Sequence, residues 1–368
     1  MKVLHVYKTA LPASYGGVET FIDTLCRGTD RLGVENMVLT LHPSPASKPI
    51  DMSGYRVYQA KEDLFFASTA FSISAFHLFR QLASTADIIH YHYPNPFGDL
   101  LGLMSSVKRP SIMTYHSDIV RQKFLRYLYQ PLQQSFLKTM DAIVATSPNY
   151  VLSSKTLRAY TNQVSVIPCA INPSVYQDCD QARLQYWRSR LPERFFLFVG
   201  VPRYYKGLSV AIEAIAGTDM QLVIGGAGGV EQALKKQAKS LGLDNVYFLG
   251  FVDEADKLAL LHLCYGFVFP SHLRSEAFGT ALLEAAVVGK PMISCEIGTG
   301  TTYVNLANKT GINITPTSAS ELKKAMGYLL DNPEKASWMG KNAKQRVMDL
   351  FTSEAQAKAY NELYQGVL

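Results

Sequence analysis

No apolar run in this 368-residue chain approaches the ~18–20 residues that span a bilayer. Its start, MKVLHVYKTALP, sets lysines at positions 2 and 8, too close for the apolar core of a secretory signal. Cysteine is scarce: the five residues Cys26, Cys169, Cys179, Cys264 and Cys295 are odd in number, scattered and without a CxxC pair. That pattern argues against a disulfide framework and a structural zinc site, and for a reducing compartment. Charged residues make up 18% of the chain, under the ~25% typical of soluble domains, while 48% are hydrophobic. With no low-complexity segment or short-period repeat, disorder, collagen and coiled coil are excluded. The expectation is a soluble, cytoplasmic protein of two domains.

Acid is missing from one stretch in particular. Between Asp118 and Asp141 there is none, while Arg121, Lys123, Arg126 and Lys138 stand among Phe124, Leu125, Tyr127, Leu128, Leu132 and Phe136. The net charge of +6 is uneven, since residues 1–170 hold 16 basic against 11 acidic side chains and residues 171–368 hold 20 against 19. A basic, aromatic amphipathic stretch of this kind suits either an anionic membrane surface or a solvated helix face over a core. Nucleic acid is not an expected partner, because no recognised binding module accompanies the patch.

Short apolar runs alternate with segments of helical length. Strands are expected at 2–7, 36–41, 87–91, 111–115, 141–146 and 163–167, and again at 195–200, 220–225, 245–249, 266–269, 291–295 and 312–314. Most are continuous rather than alternating, as in parallel strands covered on both faces. Two such βαβα series predict an α/β protein of two doubly wound parallel-sheet domains. The joint is expected at the PCAINP segment, Pro168–Pro173, dividing residues 1–170 from 171–351. A tail helix over 352–368, with Tyr360, Leu363 and Tyr364 as its apolar stripe, has the option of packing back on the first domain. Ligands of open α/β sheets bind at the carboxyl ends of strands, so a site is expected in a cleft between two facing sheets.

The segment VFPSHLRSEAFGTALLEAAVVGKPMISC, residues 268–295, reads strand, loop, helix and a Gly-Lys-Pro turn into another strand. Glu276 precedes the helix and Glu284 follows eight residues later. Ala277, Phe278, Gly279 and Thr280 are expected to form the first turn, whose free N–H groups and positive dipole end suit a phosphate. Taken alone, the glutamates read as a helix-start acid and a surface residue. Gly16 and Gly17, between a strand and a helix, would let backbone amides face a pyrophosphate, although a tight turn explains them equally well. In VGVPRYYKGL, residues 199–208, Arg203 and Lys206 would neutralise charge building on a leaving diphosphate. The loop IGGAGG, 224–229, departs from the GxGxxG dinucleotide spacing. Phe251 and Val252, after a later strand, are candidates for contact with a base or for the core. His90 and His92 have ligand-like spacing but no third partner in view, so no metal is assigned.

Together these segments resemble the retaining GT-B glycosyltransferases, the family that includes sucrose synthases and phosphatidylinositol mannosyltransferases. The carrying features are the E-x(7)-E pair Glu276 and Glu284, the FG opening the helix and the GxP ending it. Supporting landmarks are the YGGVE loop, DIIHYHYP, TYHSD with His116 and Asp118, and SVIPCAINP, where Cys169 replaces the more usual asparagine. The resemblance implies an N-terminal acceptor-binding domain, a C-terminal donor-binding domain and a nucleotide-sugar donor. It places Gly16 and Gly17 at the diphosphate, His116 beside the transferred sugar, Glu276 on the sugar hydroxyls and Glu284 on the ribose. Lys206 stands in the family's lysine position. Val201 occupies the place of the family's arginine, and Arg203 is its candidate substitute. The resemblance implies no metal and no cofactor, the donor being a substrate. Front-face attack with retention is implied, the leaving phosphate taking the acceptor's proton. The segment EIGTGTTYVN, 296–305, is similar to one in bacterial O-antigen mannosyl- and rhamnosyltransferases, which points to a GDP-sugar. Enzymes of this type build on saccharide or polyprenyl-diphosphate-linked acceptors at the membrane's inner face. A GT-B sugar-nucleotide epimerase and a non-catalytic nucleotide-sugar-binding subunit remain alternatives.

Overall fold

The computed structural model describes residues 1–67, 69–105, 107–119 and 123–368, the side chains of 123–126 excepted. They form two compact units, Met1–Ala170 with Ser353–Leu368, and Ile171–Thr352. The strands of the first unit are β1 Lys2–Val6, β2 Glu35–His42, β3 Ile50–Asp51, β4 Tyr55–Lys61, β5 Leu64–Phe66, β6 Thr69–Phe71, β7 Ile88–Tyr93, β8 Ser111–Tyr115, β9 Ala142–Ala145 and β10 Val164–Val166. Its helices are α1 Gly17–Asp30, α2 Ser74–Thr85, α3 Pro96–Met104, α4 Lys123–Leu137, α5 Pro148–Ser153 and a C-terminal helix, Ser353–Val367.

Eight strands make one sheet in the order β10-β9-β8-β7-β1-β2-β4-β3. All pairings are parallel except β3 with β4 at the edge. The reason is legible in β7 and β9, whose every residue is buried, as sandwiching between two helical layers demands. Strand order reverses at β1, which creates a switch point between β1 and β7. All six strands expected in residues 1–170 are present within a residue or two. The two-residue β3 and the longer β4 are additions, and the sequence of β4 explains why apolar runs pass over it. YRVYQAK alternates, burying Tyr55, Val57 and Ala60 while exposing Arg56 and Lys61. The two-stranded β5–β6 ribbon is likewise additional.

The C-terminal helix covers one face of this sheet alongside α1. Tyr360 and Tyr364 are fully buried, and Phe21 of α1 meets Tyr360 edge-on at 6.1 Å. Gly28 allows the approach, because a Cβ there would run into the Ala357 methyl.

The second unit carries β11 Phe196–Val199, β12 Leu222–Gly225, β13 Val246–Gly250, β14 Gly266–Phe269, β15 Met292–Cys295 and β16 Gly311–Ile314. They are all parallel in the order β13-β12-β11-β14-β15-β16, the doubly wound arrangement. Around them lie α6 Gln181–Arg188, α7 Leu208–Ile215, α8 Glu231–Ser240, α9 Glu254–Leu263, α10 Thr280–Val287, α11 Thr301–Val304, α12 Ala319–Asp331 and α13 Pro333–Leu350. Here the order reverses between β11 and β14, so the loops leaving those two strands flank the switch point. No helix among the described residues is long and apolar enough to cross a membrane.

Candidate active site

The loops after β11 and β14 are pressed together by glycine. Gly207 sits at φ +69°, and a Cβ on it would collide with the Pro270 carbonyl oxygen. The His272 N–H also donates to the Tyr205 carbonyl at 3.0 Å. This close approach sets the Lys206 ammonium 2.5 Å from Glu276 Oε2, with Ser271 Oγ donating to the same oxygen at 3.3 Å. Phe269 lies 4.9 Å from the ammonium and supplies a ring face. The pair is mostly covered, with side-chain exposures of 15% and 12%. Sequence reasoning gave Lys206 and Glu276 separate roles; the structure brings them into direct contact.

Arg203 lies three residues before Lys206, exposed, and its guanidinium has no partner among the described residues. Gly226 and Gly228 bring the loop after β12 against the backbone of Gly200 and Pro202 with no room for a Cβ on either. The glycines of IGGAGG therefore pack two loops together. Phe251 is 81% exposed, which removes the core reading for it.

The helix after Glu276 begins later than expected. Gly279 is its N-cap at φ +83°, a left-handed conformation outside the helix, and α10 starts at Thr280. Ala277 and Phe278 thus belong to the loop. The Phe278 ring is buried and packs edge-on to Phe351 at 6.0 Å, so it anchors the loop. No side chain caps α10, which leaves its first amides facing outward from the end of the helix.

Glu284, inside α10, is held by two residues with no sequence signal. Lys257 of α9 donates to Glu284 Oε1 at 2.7 Å and the Tyr176 hydroxyl at 2.9 Å. Burial alone would lower the Lys257 ammonium, but Glu284 and Glu254 together raise it above its usual value. A carboxylate fixed by two donors keeps one oxygen for another hydroxyl.

In the first unit, α1 also starts without a side-chain cap, at Gly16. A Cβ on Gly16 would strike the Glu19 carboxylate, whereas one on Gly17 would meet nothing within 4 Å. Glu19 is itself buried and accepts from Thr9 Oγ1 at 2.6 Å and from Ser14 Oγ at 3.3 Å. His116 follows β8 with its ring against Phe21, edge-on at 4.7 Å. Burial pushes its imidazole down to about 3, so it is neutral at physiological pH.

His90 and His92 do have further partners, contrary to the expectation. His5 of β1 joins them, and ring nitrogens of the three lie within 4.8 Å of one another. The missed signal is a polar residue inside the apolar run KVLHVY. Both nitrogens of His90 are engaged, with the Tyr364 hydroxyl at 2.8 Å and Thr114 Oγ1 at 2.7 Å. The basic stretch is described in part. Arg121 and the side chains of Lys123 and Arg126 lie outside the described residues, while Tyr127 and Leu128 are 74% and 60% exposed.

Two doubly wound units in one chain are the architecture of the GT-B class. Comparison with known proteins agrees. Residues 184–346 match the family described as glycosyl transferases group 1, and residues 15–175 match glycosyltransferase family 4. The chain is 49% identical over 353 residues to D-rhamnosyltransferase WbpZ of Pseudomonas aeruginosa, across 96% of this chain and 93% of that protein. It is 44% identical over 368 residues to O-antigen chain mannosyltransferase C of Escherichia coli, across 100% and 99%. In fold it matches sucrose-phosphate synthase from Thermosynechococcus elongatus with a TM-score of 0.81 at 21% identity, covering 100% of this chain and 98% of that one. The chain belongs to the group 1 and family 4 glycosyltransferases, and it is an enzyme of the GT-B fold.

Proposed function

We propose that this glycosyltransferase moves a hexose, mannose or rhamnose, from a GDP-sugar to a hydroxyl of a saccharide or polyprenyl-diphosphate-linked acceptor in bacterial O-antigen synthesis. The observation that carries the transfer reading is the Lys206–Glu276 pair at the switch point of the second unit, beside the uncapped start of α10. Identity of 49% and 44% with a rhamnosyl- and a mannosyltransferase supports the choice of sugar.

In this reading Glu276 exchanges its ammonium partner for hydroxyls of the donor sugar, and Lys206 turns to the diphosphate. Arg203 adds the second cation, and the first amides of α10 with Gly279 supply donors to the phosphates. Glu284 takes the ribose hydroxyls. Gly16 and Gly17 serve the diphosphate and His116 the transferred sugar. Negative charge building on the leaving phosphate is the main barrier, and fixed cations and amides lower it without reorganising. The departing phosphate oxygen takes the acceptor's proton, the bond to the acceptor forms on the same face, and configuration is retained. No metal or cofactor enters this scheme.

The test is a panel of GDP-, UDP- and ADP-sugars with a lipid-linked saccharide acceptor, scored by product and by anomeric configuration. Transfer from a GDP-hexose with retention is expected. Donor consumption without acceptor would overturn the transfer reading in favour of an epimerase. Nucleotide choice is checked by thermal shift, since a ligand at 100 times its Kd adds ~2.7 kcal/mol.

Binding to the anionic membrane surface through residues 119–139 belongs to the same proposal, supported by the exposed Tyr127 and Leu128. Vesicle sedimentation with anionic against neutral lipid measures it, and equal binding to both overturns the electrostatic part.

A further inference from the structure

A line of imidazoles crosses the sheet of the first unit. β2, β1, β7 and β8 are consecutive neighbours, and they carry Asn36, His5, His92 and, just past its end, His116. His5 pairs with Val38 and with His90, and His92 pairs with Thr114. Since alternate residues of a strand share a face, all four side chains stand on the same side of the sheet. The Asn36 Oδ1 lies 3.1 Å from His5 Nε2, His5 Nδ1 lies 3.1 Å from His92 Nε2, and His92 Nδ1 lies 3.1 Å from His116 Nε2. The line runs from the amino end of β2 to the carboxyl edge of β8.

All three rings are neutral. Burial pushes His5 down to about 4 and His116 to about 3, and holds His92 well below its ordinary value. A neutral imidazole has one N–H and one lone pair, so each ring donates through one nitrogen and accepts through the other. The direction of the whole line is therefore set at one end. Asn36 sets it, because its amide cannot turn over. Its Nδ2 donates to the carbonyls of Cys26 and Val34, both at 3.1 Å, and to Thr29 Oγ1 at 3.0 Å. Thr29 spends its own hydrogen on the Leu25 carbonyl at 2.9 Å. A reversed amide would set its oxygen against two carbonyl oxygens.

We infer that Asn36, His5 and His92 are positioning residues that lock His116 in the Nε2–H tautomer and leave its Nδ1 lone pair as a hydrogen-bond acceptor at the carboxyl edge of the sheet. Asn36 Oδ1 only accepts, so His5 donates through Nε2 and accepts through Nδ1. His92 then donates through Nε2 and accepts through Nδ1, and His116 donates through Nε2. Its Nδ1 has no protein partner among the described residues. The ligand class is a hydroxyl that must donate, as a sugar hydroxyl does; this last step rests on the proposed role of His116 beside the transferred sugar. The tautomer itself does not. The same bonds occupy both nitrogens of His5, His90 and His92, which leaves that cluster no lone pair for a metal ion.

The experiment is a long-range proton–nitrogen correlation spectrum of the full chain labelled with 15N-histidine, which separates protonated from lone-pair ring nitrogens. Expected are protonated Nε2 and lone-pair Nδ1 at His5, His92 and His116, with His116→Gln assigning its signals. In His5→Phe the line is cut, and a protonated Nδ1 population should appear at His92 and His116. Sugar transfer should fall ~2–10-fold, the scale of one lost hydrogen bond, with nucleotide affinity unchanged. His5→Gln should restore both, since its amide donates to Asn36 and accepts from His92. A protonated Nδ1 at His116 in the unaltered protein overturns the inference, as does displacement of the ring signals by added Zn²⁺ or by a chelator. If His5→Phe fails to fold, the spectrum of the unaltered protein still decides. The expected spectrum together with no transfer from any donor would overturn the functional reading alone.

Discussion

The two units face one problem, placing polar groups at the carboxyl edge of a doubly wound sheet, and solve it in opposite ways. The second unit uses opposite charges. Lys206 with Glu276 and Lys257 with Glu284 are paired at 2.5 and 2.7 Å, their side chains keeping 12–18% exposure. The first unit uses buried neutral imidazoles, with His5 and His90 wholly covered and His116 alone keeping a little exposure at the edge. The difference follows from desolvation. A full charge is too costly to bury without a partner, whereas neutral rings that bond one another are satisfied. An ion pair with some water access gives up its partner to a charged ligand; a closed imidazole line has no such freedom and can only orient. One edge is built to exchange partners and the other to hold still.

The largest effect should come from breaking the exchanging edge. Glu276→Ala should abolish transfer while leaving the fold intact, read as product formation beside an unchanged melting curve. Turnover near that of the unaltered enzyme would mean the pair is only structural. Arg203→Ala should lower turnover ~10²–10³-fold, the scale of one lost transition-state donor. Because the guanidinium is exposed and unpartnered among the described residues, stability should not change. A loss under threefold would show that Val201 marks a gap and Lys206 acts alone.

A smaller effect is expected at Glu284. Glu284→Ala should weaken nucleotide binding ~10-fold with less effect on turnover at saturation. Lys257→Met should do nearly as much by releasing the carboxylate, and Tyr176→Phe less. Calorimetric titration with the nucleotide reads all three. Equal affinity across the series would place the ribose elsewhere.

Much of this arrangement is legible in the sequence, and the exceptions have physical causes. Continuous apolar runs announced twelve of the fourteen strands of the two sheets, because burial on both faces favours apolar residues along the whole strand. β4 escaped because a strand near an edge alternates. Glu276, Lys206 and Glu284 could be named from the resemblance to a family motif, yet their pairing could not, since Gly207 against the Pro270 carbonyl is a contact between loops 63 residues apart. Lys257 and Tyr176 carry no pattern of their own. The start of α10 was misplaced because a left-handed Gly279 looks like any glycine. His5 was visible as a polar residue in an apolar strand, but the strand order that sets it beside His92 was not.

The smallest expected effect concerns acid. His5, His90, His92 and His116 all have imidazoles held below their ordinary value by burial, to about 4 in His5 and about 3 in His116. On unfolding, each regains an ordinary value near 6.5 and takes up a proton below it. Their contribution to stability is therefore complete above about pH 6.5 and is lost as pH falls toward 4. Asp99 opposes them. Burial pushes its carboxyl up to about 7 despite the hydrogen bond from the Tyr129 hydroxyl, so its contribution is complete below its unfolded value and is lost as pH rises through 7. Four histidines outweigh one carboxyl, so the first unit should lose stability between pH 6.5 and 4. Asp99→Asn should steepen that loss and raise stability at pH 8. Both tryptophans, Trp187 and Trp338, lie in the second unit, so their fluorescence reports that unit while far-ultraviolet circular dichroism reports the whole chain. Melting curves at pH 7.5 and 5 should show dichroism lost several degrees earlier at the lower pH, with the fluorescence transition moved less. Curves that coincide at both pH values would mean that the imidazole line does not set the acid stability of its own unit.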